Sequence, residues 1–422
     1  MSSIRSIISR QIFDSRGNPT IETDIFLKNG VYGRASVPSG ASTGKNEAHE
    51  LRDNRASYHG KSVLKAVENV NTIIFDAISG HDVFEQEFLD NILIELDGTK
   101  NKKRLGANSL LSVSLACADA ASKCLNIPLY KYLGGSKSFR MPTPMLNIIN
   151  GGAHANNNLS FQEFMIIPIN CLTFNDAIKK SSEVFHTLKK LLDKKGFSTA
   201  VGDEGGFAPN LKNEDQACSL ISEAILKSGY KLGKDFHISL DIAASEFYTK
   251  GRYKLNSSKK LLTSNEFSMF LIKLCDNYSI ISVEDPFSEN DWNSWSNFNN
   301  NFGNRIQIVG DDIYTTNAKL IDKGIKAKTS NAVLIKPNQI GTLTETMQAI
   351  EIAQSNGMET IISHRSGETE NTFISDLSVA TNSGQIKTGS MSRSERIAKY
   401  NQLLRIEENL QLKKSLKINK FY

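Results

Sequence analysis

Six short apolar runs in the second half of the chain each end in a charged or chelating side chain, and they follow one another in series. His237–Leu240 leads into Asp241, Ile280–Val283 into Glu284, Ile306–Gly310 into Asp311, Ala332–Ile335 into Lys336, Thr360–Ser363 into His364-Arg365-Ser366, and Gly384–Ile386 into Lys387. A short run that is apolar throughout suits a strand buried on both faces of a parallel sheet, and parallel neighbours need a long crossover between them. Roughly 23 to 43 residues separate successive run ends, enough for a helix each time. Closed into a barrel, such strands deliver their C-terminal residues to one mouth, where barrel folds keep their chemistry. The pattern predicts a TIM-like α/β barrel in which these three carboxylates, two lysines, an arginine and a histidine share one cavity.

The 422 residues exceed a single barrel of about 250 residues, so a second unit is expected. Residues 1–138 read as an N-terminal α+β domain. Ile21, Thr23, Ile25 and Leu27 alternate with Glu22 and Asp24 after the turn residues Asp14-Ser-Arg-Gly-Asn-Pro19, which predicts antiparallel strands. Val63, Ala66, Val67, Val70 and Ile74 then take helical spacing, as do Leu110, Leu111, Leu115 and Ala118 behind Asn108, an expected N-cap. The barrel is assigned to residues 139–422. Its first strand pair is irregular: Met145–Ile149 and Phe161–Ile167 are joined by a polar loop, Asn150–Leu159, in place of a helix. Further on, Thr263 and Glu266 form a capping-box signature before an apolar helical face.

Five cysteines, odd in number and without a Cys-x-x-Cys spacing, argue against a disulfide framework or a structural zinc site. A net charge of +5 with scattered lysines gives no clear nucleic-acid motif. No apolar stretch approaches the roughly 18 residues of a membrane span, and the first residues lack the apolar core of a secretory signal. A cytoplasmic location is the expectation.

Asp241, Glu284 and Asp311 are oxygen donors on successive strand ends, a set suited to a hard cation such as Mg²⁺, although acidic residues also follow strands as helix caps. Burial and neighbouring cations, Lys387 among them, would lower the pKa of Lys336 and make it a candidate general base. Arg365 and Ser366, followed by a Gly turn, suit a phosphate or carboxylate. Glu204 lies among the glycines of Gly202-Asp-Glu-Gly-Gly206, where backbone can approach a ligand and the carboxyl can act as an acid. Glu163 on an apolar strand needs a partner. The small-residue loop Val37–Gly44 is equally consistent with a linker or a phosphate cradle.

Ser15-Arg-Gly-Asn-Pro-Thr20, Pro38–Gly44, Asn150-Gly-Gly-Ala-His154, Gln162-Glu-Phe164, Gly202–Gly206, Val283-Glu-Asp-Pro286, Lys336–Gly341, Ser363–Glu370 and Gln385–Gly389 occur in the order of the motifs of the enolase family, which the chain resembles along nearly its whole length. The resemblance implies the reversible dehydration of 2-phosphoglycerate to phosphoenolpyruvate, with two Mg²⁺ per site and a homodimer or a multiple of one. It implies Lys336 as the base at C2 and Glu204 as the acid at the C3 hydroxyl, with Glu163 beside it. It further implies Asp241, Glu284 and Asp311 on the first Mg²⁺, Ser42 on a second that arrives with substrate, and Arg365 and Ser366 on the phosphate. His154, Gln162, His364 and Lys387 would contact or position the substrate. A cage of three carboxylates leaves one dication little surplus charge, so closure of the Ser42 loop and capture of the second ion are expected to be one event. Asn371, the Asn156–Asn158 run and the C-terminal Phe421-Tyr422 depart from common family patterns. Two other readings are a superfamily dehydratase acting on a non-phosphorylated acid and a catalytically silent scaffold. The first needs neither the Arg365–Ser366 pair nor the Ser42 loop; the second need not keep Lys336 and Glu204.

Overall fold

An antiparallel sheet opens the chain in the computed structural model, which describes residues 1–41, 44–53, 56–258 and 260–410. Ser42 and the C-terminal Phe421-Tyr422 therefore lie outside the described residues. Strands β1 (Ile4–Phe13), β2 (Pro19–Leu27) and β3 (Tyr32–Ser36) lie side by side in that order. The β1–β2 turn is held by Asp14, whose Oδ1 accepts from the Arg16 and Asn18 amides at 2.9 and 2.8 Å, an Asx turn of the kind its sequence suggests.

The helix Ala107–Cys124 packs on this sheet so closely that a Cβ on Gly33 would sit 2.2 Å from the Ala120 nitrogen. Only glycine allows that approach. Asn108 is not the cap of this helix. The chain enters it through Gly106 at φ 94°, and the Asn108 side chain instead accepts from Leu51 N at 2.9 Å and donates to Leu51 O at 3.1 Å. Its amide pairs with the buried N–H and C=O of Leu51 in a distant segment, which spacing along the chain does not reveal.

The second unit is a closed barrel. Strands β4 (Thr143–Asn150), β5 (Glu163–Pro168) and β6 (Phe236–Asp241) are followed by a small hairpin, β7 (Tyr248–Thr249) and β8 (Arg252–Tyr253). Then come β9 (Ile280–Glu284), β10 (Gln307–Gly310), β11 (Ala332–Ile335), β12 (Glu359–Ser363) and β13 (Gly384–Lys387). Around the barrel the order is β4-β5-β6-β9-β10-β11-β12-β13, closing back onto β4. All six apolar runs are strands of this barrel, with helices such as Ser264–Tyr278 and Leu343–Ser355 between them. Thr263 and Glu266 form the expected capping box.

The irregular start has a consequence for the mouth. Because β4 and β5 are joined by a polar loop, β5 runs antiparallel to both neighbours, and its first residue, Glu163, stands opposite Asn150 and Asp241. The strand is shorter at its start than Phe161–Ile167, since Gln162 already belongs to the loop. After β5 the chain is at the far end of the barrel. The 21-residue helix Phe174–Lys194 carries it back, and the helix Glu214–Lys227 returns it to begin β6. The connection between these helices thus crosses the mouth, where Phe207 pairs with Ile148 and Asn150 at 2.9 and 2.8 Å. Glu204 arrives there by this detour.

Candidate active site

Lys387, the last residue of β13, organises the mouth. Its Nζ lies 3.1 Å from Glu163 Oε1, 3.0 Å from Asp241 Oδ2 and 2.9 Å from both oxygens of Glu284. An ammonium has three donors, and each of these buried carboxylates takes part of it. Burial alone would lower the Lys387 pKa, but Asp241, Glu163 and Glu284 outweigh it and raise the value well above the ordinary one. Burial and the neighbouring Asp241 charge push Glu284 well upward despite Lys387.

Asp311 stands one strand further and has a different partner. Its Oδ2 accepts from Lys336 Nζ, and its Oδ1 accepts from Gln339 Nε2 at 2.8 Å. This pairing corrects the expectation for Lys336. Burial does pull its pKa down, but contact with Asp311 overrides burial, and the value is raised. The sequence identifies the cations near Lys336; only the folded chain reveals that a carboxylate touches it first.

Across the mouth, Glu163 and Glu204 are shifted in opposite directions. Burial raises Glu163 well above the usual carboxyl range, and the charge of Glu204 adds to the rise. Burial would raise Glu204 too, yet His364, His154 and Arg396 hold it well below that range. His154 Nδ1 sits 3.7 Å from Glu163 Oε1 and 3.7 Å from Glu204 Oε1, and Asn147 Nδ2 donates to Glu204 Oε2 at 2.9 Å. His364 Nε2 lies 3.3 Å from Glu204 Oε2. Burial brings His364 down to about 4, so at neutral pH its ring is uncharged. The two carboxyls therefore titrate as a pair, Glu163 shifted up and Glu204 shifted down.

The glycines around Glu204 are needed as drawn. Gly205 has φ +85°, and a Cβ there would meet Ser392 O at 2.5 Å. Gly205→Ala is expected to cost about 2–3 kcal/mol, from left-handed strain plus the clash, and to lower the thermal midpoint by a few degrees. A wild-type melting curve for the variant would contradict this placement of the loop.

Arg365 and Ser366 follow β12 in a buried turn. Arg365 Nη1 and Nη2 donate to the two oxygens of Glu47 at 3.0 and 3.3 Å, and Nη1 donates to Asn338 Oδ1 at 3.3 Å. Glu47 comes from the N-terminal unit, five residues after Ser42, and Ser39 and Gly367 exchange two backbone hydrogen bonds of 2.8 Å. Ser39 and Glu47 of the N-terminal unit therefore lie against the turn. The turn is also held from beneath by Arg396 and Lys399 of the helix Ser394–Leu410. Arg396 donates to Arg365 O at 2.6 Å and Ser366 O at 2.7 Å, and Lys399 Nζ donates to Glu368 Oε2 at 2.8 Å.

His154, Gln162, Glu163, Glu204, Asp241, Asp311, Lys336, His364, Arg365, Ser366 and Lys387 line one cleft, with Glu284 held behind Lys387. The expected metal carboxylates reach it in two groups, Asp241 and Glu284 on Lys387 and Asp311 on Lys336. A tighter trio, Asp285, Asp311 and Asp312, has donor atoms within 4.8 Å of one another. Asp285 is committed elsewhere, because its oxygens accept from the Asp311 and Asp312 amides at 2.9 Å each. Reading the sequence alone misses Glu47, Arg396 and Lys399. The two helix cations carried a signal: they fall on the same helical face as the buried Tyr400, Leu403 and Ile406, positions that ordinarily hold apolar residues.

The sequence model described as "Enolase, N-terminal domain" matches residues 4–133, and that described as "Enolase, C-terminal TIM barrel domain" matches residues 138–421. The chain belongs to the enolase family. Enolase-family proteins generally use Mg²⁺, and the donors here fit a hard dication. The observation behind that fit is local. Asp241, Glu284, Asp311 and Asp312 crowd around two ammonium groups, and burial with mutual repulsion pushes Glu284 and Asp312 well upward, which marks a place that favours added positive charge. Among the described residues no helix of this enolase-family chain is long and apolar enough to cross a membrane.

Proposed function

We propose that the chain catalyses the reversible dehydration of 2-phosphoglycerate to phosphoenolpyruvate and water. The observation that carries this reading is the convergence of Lys336, the Glu163–Glu204 pair, an oxygen-rich donor set and the Arg365–Ser366 turn on one cleft. Lys336 takes the proton from C2, and the C3 hydroxyl leaves as water with a proton from the Glu163–Glu204 unit. The C2–H and C3–O bonds break and the C2–C3 double bond forms. Arg365 and Ser366 hold the phosphate, and His154, Gln162 and Lys387 orient the rest of the substrate. Asp241, Glu284 and Asp311 would hold Mg²⁺, which when bound supplies positive charge beside the substrate carboxylate and competes with Lys336 for Asp311. Lys336 must lose its own proton before it can act, and a weaker hold by Asp311 favours that loss. A second Mg²⁺ at Ser42, a homodimeric assembly and a cytoplasmic location belong to the same proposal and rest on the family resemblance.

The test is formation of phosphoenolpyruvate, followed by its ultraviolet absorbance, from 2-phosphoglycerate with Mg²⁺ and again with excess chelator. Turnover that requires Mg²⁺ is expected. Folded protein that leaves 2-phosphoglycerate untouched but dehydrates a non-phosphorylated hydroxy acid would replace this reading with that of a different superfamily dehydratase.

A further inference from the structure

Arg396 is fully buried and makes four close contacts that join three parts of the site. Its Nη1 lies 2.6 Å from His364 Nδ1 and 2.6 Å from Arg365 O, and its Nη2 lies 2.7 Å from Ser366 O and 3.0 Å from Asp203 O. A guanidinium has only donors and keeps its proton throughout the working range of pH. Two donors cannot face each other at 2.6 Å, so His364 Nδ1 must present its lone pair to Arg396. A neutral imidazole has one donor and one acceptor nitrogen, and an imidazolium has two donors. With Nδ1 as acceptor the ring is neutral and its proton is on Nε2. Turning the ring over would set a carbon against Arg396 and forfeit the bond. Arg396 cannot retreat either, since three backbone carbonyls grip it from the turn and from the Glu204 loop.

We propose that Arg396 is a positioning residue that fixes His364 as the neutral Nε2–H tautomer, with Nε2 3.3 Å from Glu204 Oε2. His364 then presents an N–H within the site and does not carry protons, so it is not an acid or base of the reaction. The tautomer stands on the geometry alone; only this catalytic consequence rests on the proposed dehydration. The same guanidinium ties the Arg365–Ser366 turn to the Asp203–Glu204 backbone, so the anion-binding turn and the carboxyl pair keep a common frame.

The charged groups facing His364 are Arg396, Glu204, Lys387 and, from the turn, Glu368. The experiment is NMR on the full chain labelled with ring-¹⁵N histidine between pH 6 and 8, with His364 assigned by the signals lost in His364→Gln. The expected result is one bare nitrogen at Nδ1 and one protonated nitrogen at Nε2, without titration over this range. A proton on Nδ1, or a doubly protonated ring, would overturn the proposal. In Arg396→Met the ring is expected to sample both tautomers, while Arg396→Lys, which still donates, restores the Nε2–H form. A folded Arg396→Met in which His364 remains purely Nε2–H shows that Arg396 does not set the tautomer and sinks the proposal. Should Arg396→Met fail to fold, an Arg396→Lys spectrum that shows a proton on Nδ1 has the same effect. The expected tautomer in a protein that does not turn over 2-phosphoglycerate would discard the dehydration and leave the assignment of Arg396 intact.

Discussion

Lys387→Met is expected to lower folding stability by about 3–5 kcal/mol at neutral pH with chelator present, the scale for removing one partner of a buried ionic cluster. Methionine keeps most of the stem's volume, so the loss reports charge and not a cavity. The reason lies in the contacts of Lys387, whose Nζ is within 3.1 Å of Glu163, Asp241 and Glu284 and whose side chain is 2% exposed. Without the ammonium, three acidic side chains face each other out of water. Two additions should restore part of the loss. Millimolar Mg²⁺ stabilises the folded form by mass action, about 2.7 kcal/mol when it stands a hundredfold above its dissociation constant. Glu163→Gln in the same chain removes one of the crowded acids, so the double variant should be more stable than Lys387→Met alone. Urea or guanidinium unfolding of wild type, Lys387→Met and the double variant, with and without Mg²⁺, measures both terms. A Lys387→Met protein as stable as wild type in chelator means that Lys387 does not neutralise the cluster.

Lys336→Ala is expected to reduce turnover of 2-phosphoglycerate by about 10²–10⁴-fold, or roughly 3–5 kcal/mol of barrier, the range for loss of a positioned general base. Proton exchange locates the step. In D₂O the wild type should exchange the C2 proton of the substrate with solvent, and Lys336→Ala should lose exchange and turnover together. Glu204→Gln should lose turnover yet retain exchange at C2, because it disables departure of the hydroxyl and not removal of the proton. Lys336→Ala also deprives Asp311 of its ion pair, so circular dichroism must show the fold intact. Equal turnover in Lys336→Ala and wild type would remove Lys336 from the mechanism.

The barrel was legible because a doubly covered parallel strand must be apolar over its whole length and because its charged terminus is then conspicuous. Asp241, Glu284, Asp311, Lys336, His364 and Lys387 all stand at or just beyond such ends. Local capping chemistry was legible at Thr263 for a similar reason, since both partners lie within four residues. It was not legible at Asn108, whose partner Leu51 lies 57 residues away. Glu47 escaped notice because a lone glutamate after a glycine-rich loop reads as surface, and only docking of the N-terminal unit sets it against Arg365.

Charge states divide along the same line. Residue types along the strand ends determine that carboxylates and ammonium groups share a cleft, and so that their pKa values are perturbed. The direction at each group depends on which partner comes within about 3 Å, since a Coulomb interaction in a poorly solvated site changes by several kcal/mol over a few ångströms. Lys336 is therefore raised by Asp311 where sequence neighbours argue for lowering, and Glu204 is shifted down while Glu163 is shifted up because two histidines and Arg396 surround Glu204. By itself the sequence determined the fold class, the mouth and its inventory of chemical groups, because periodicity and strand ends are local properties of the chain. The tertiary structure decided which of those groups are paired and in which direction their pKa values move, because those properties depend on distances between residues far apart in sequence.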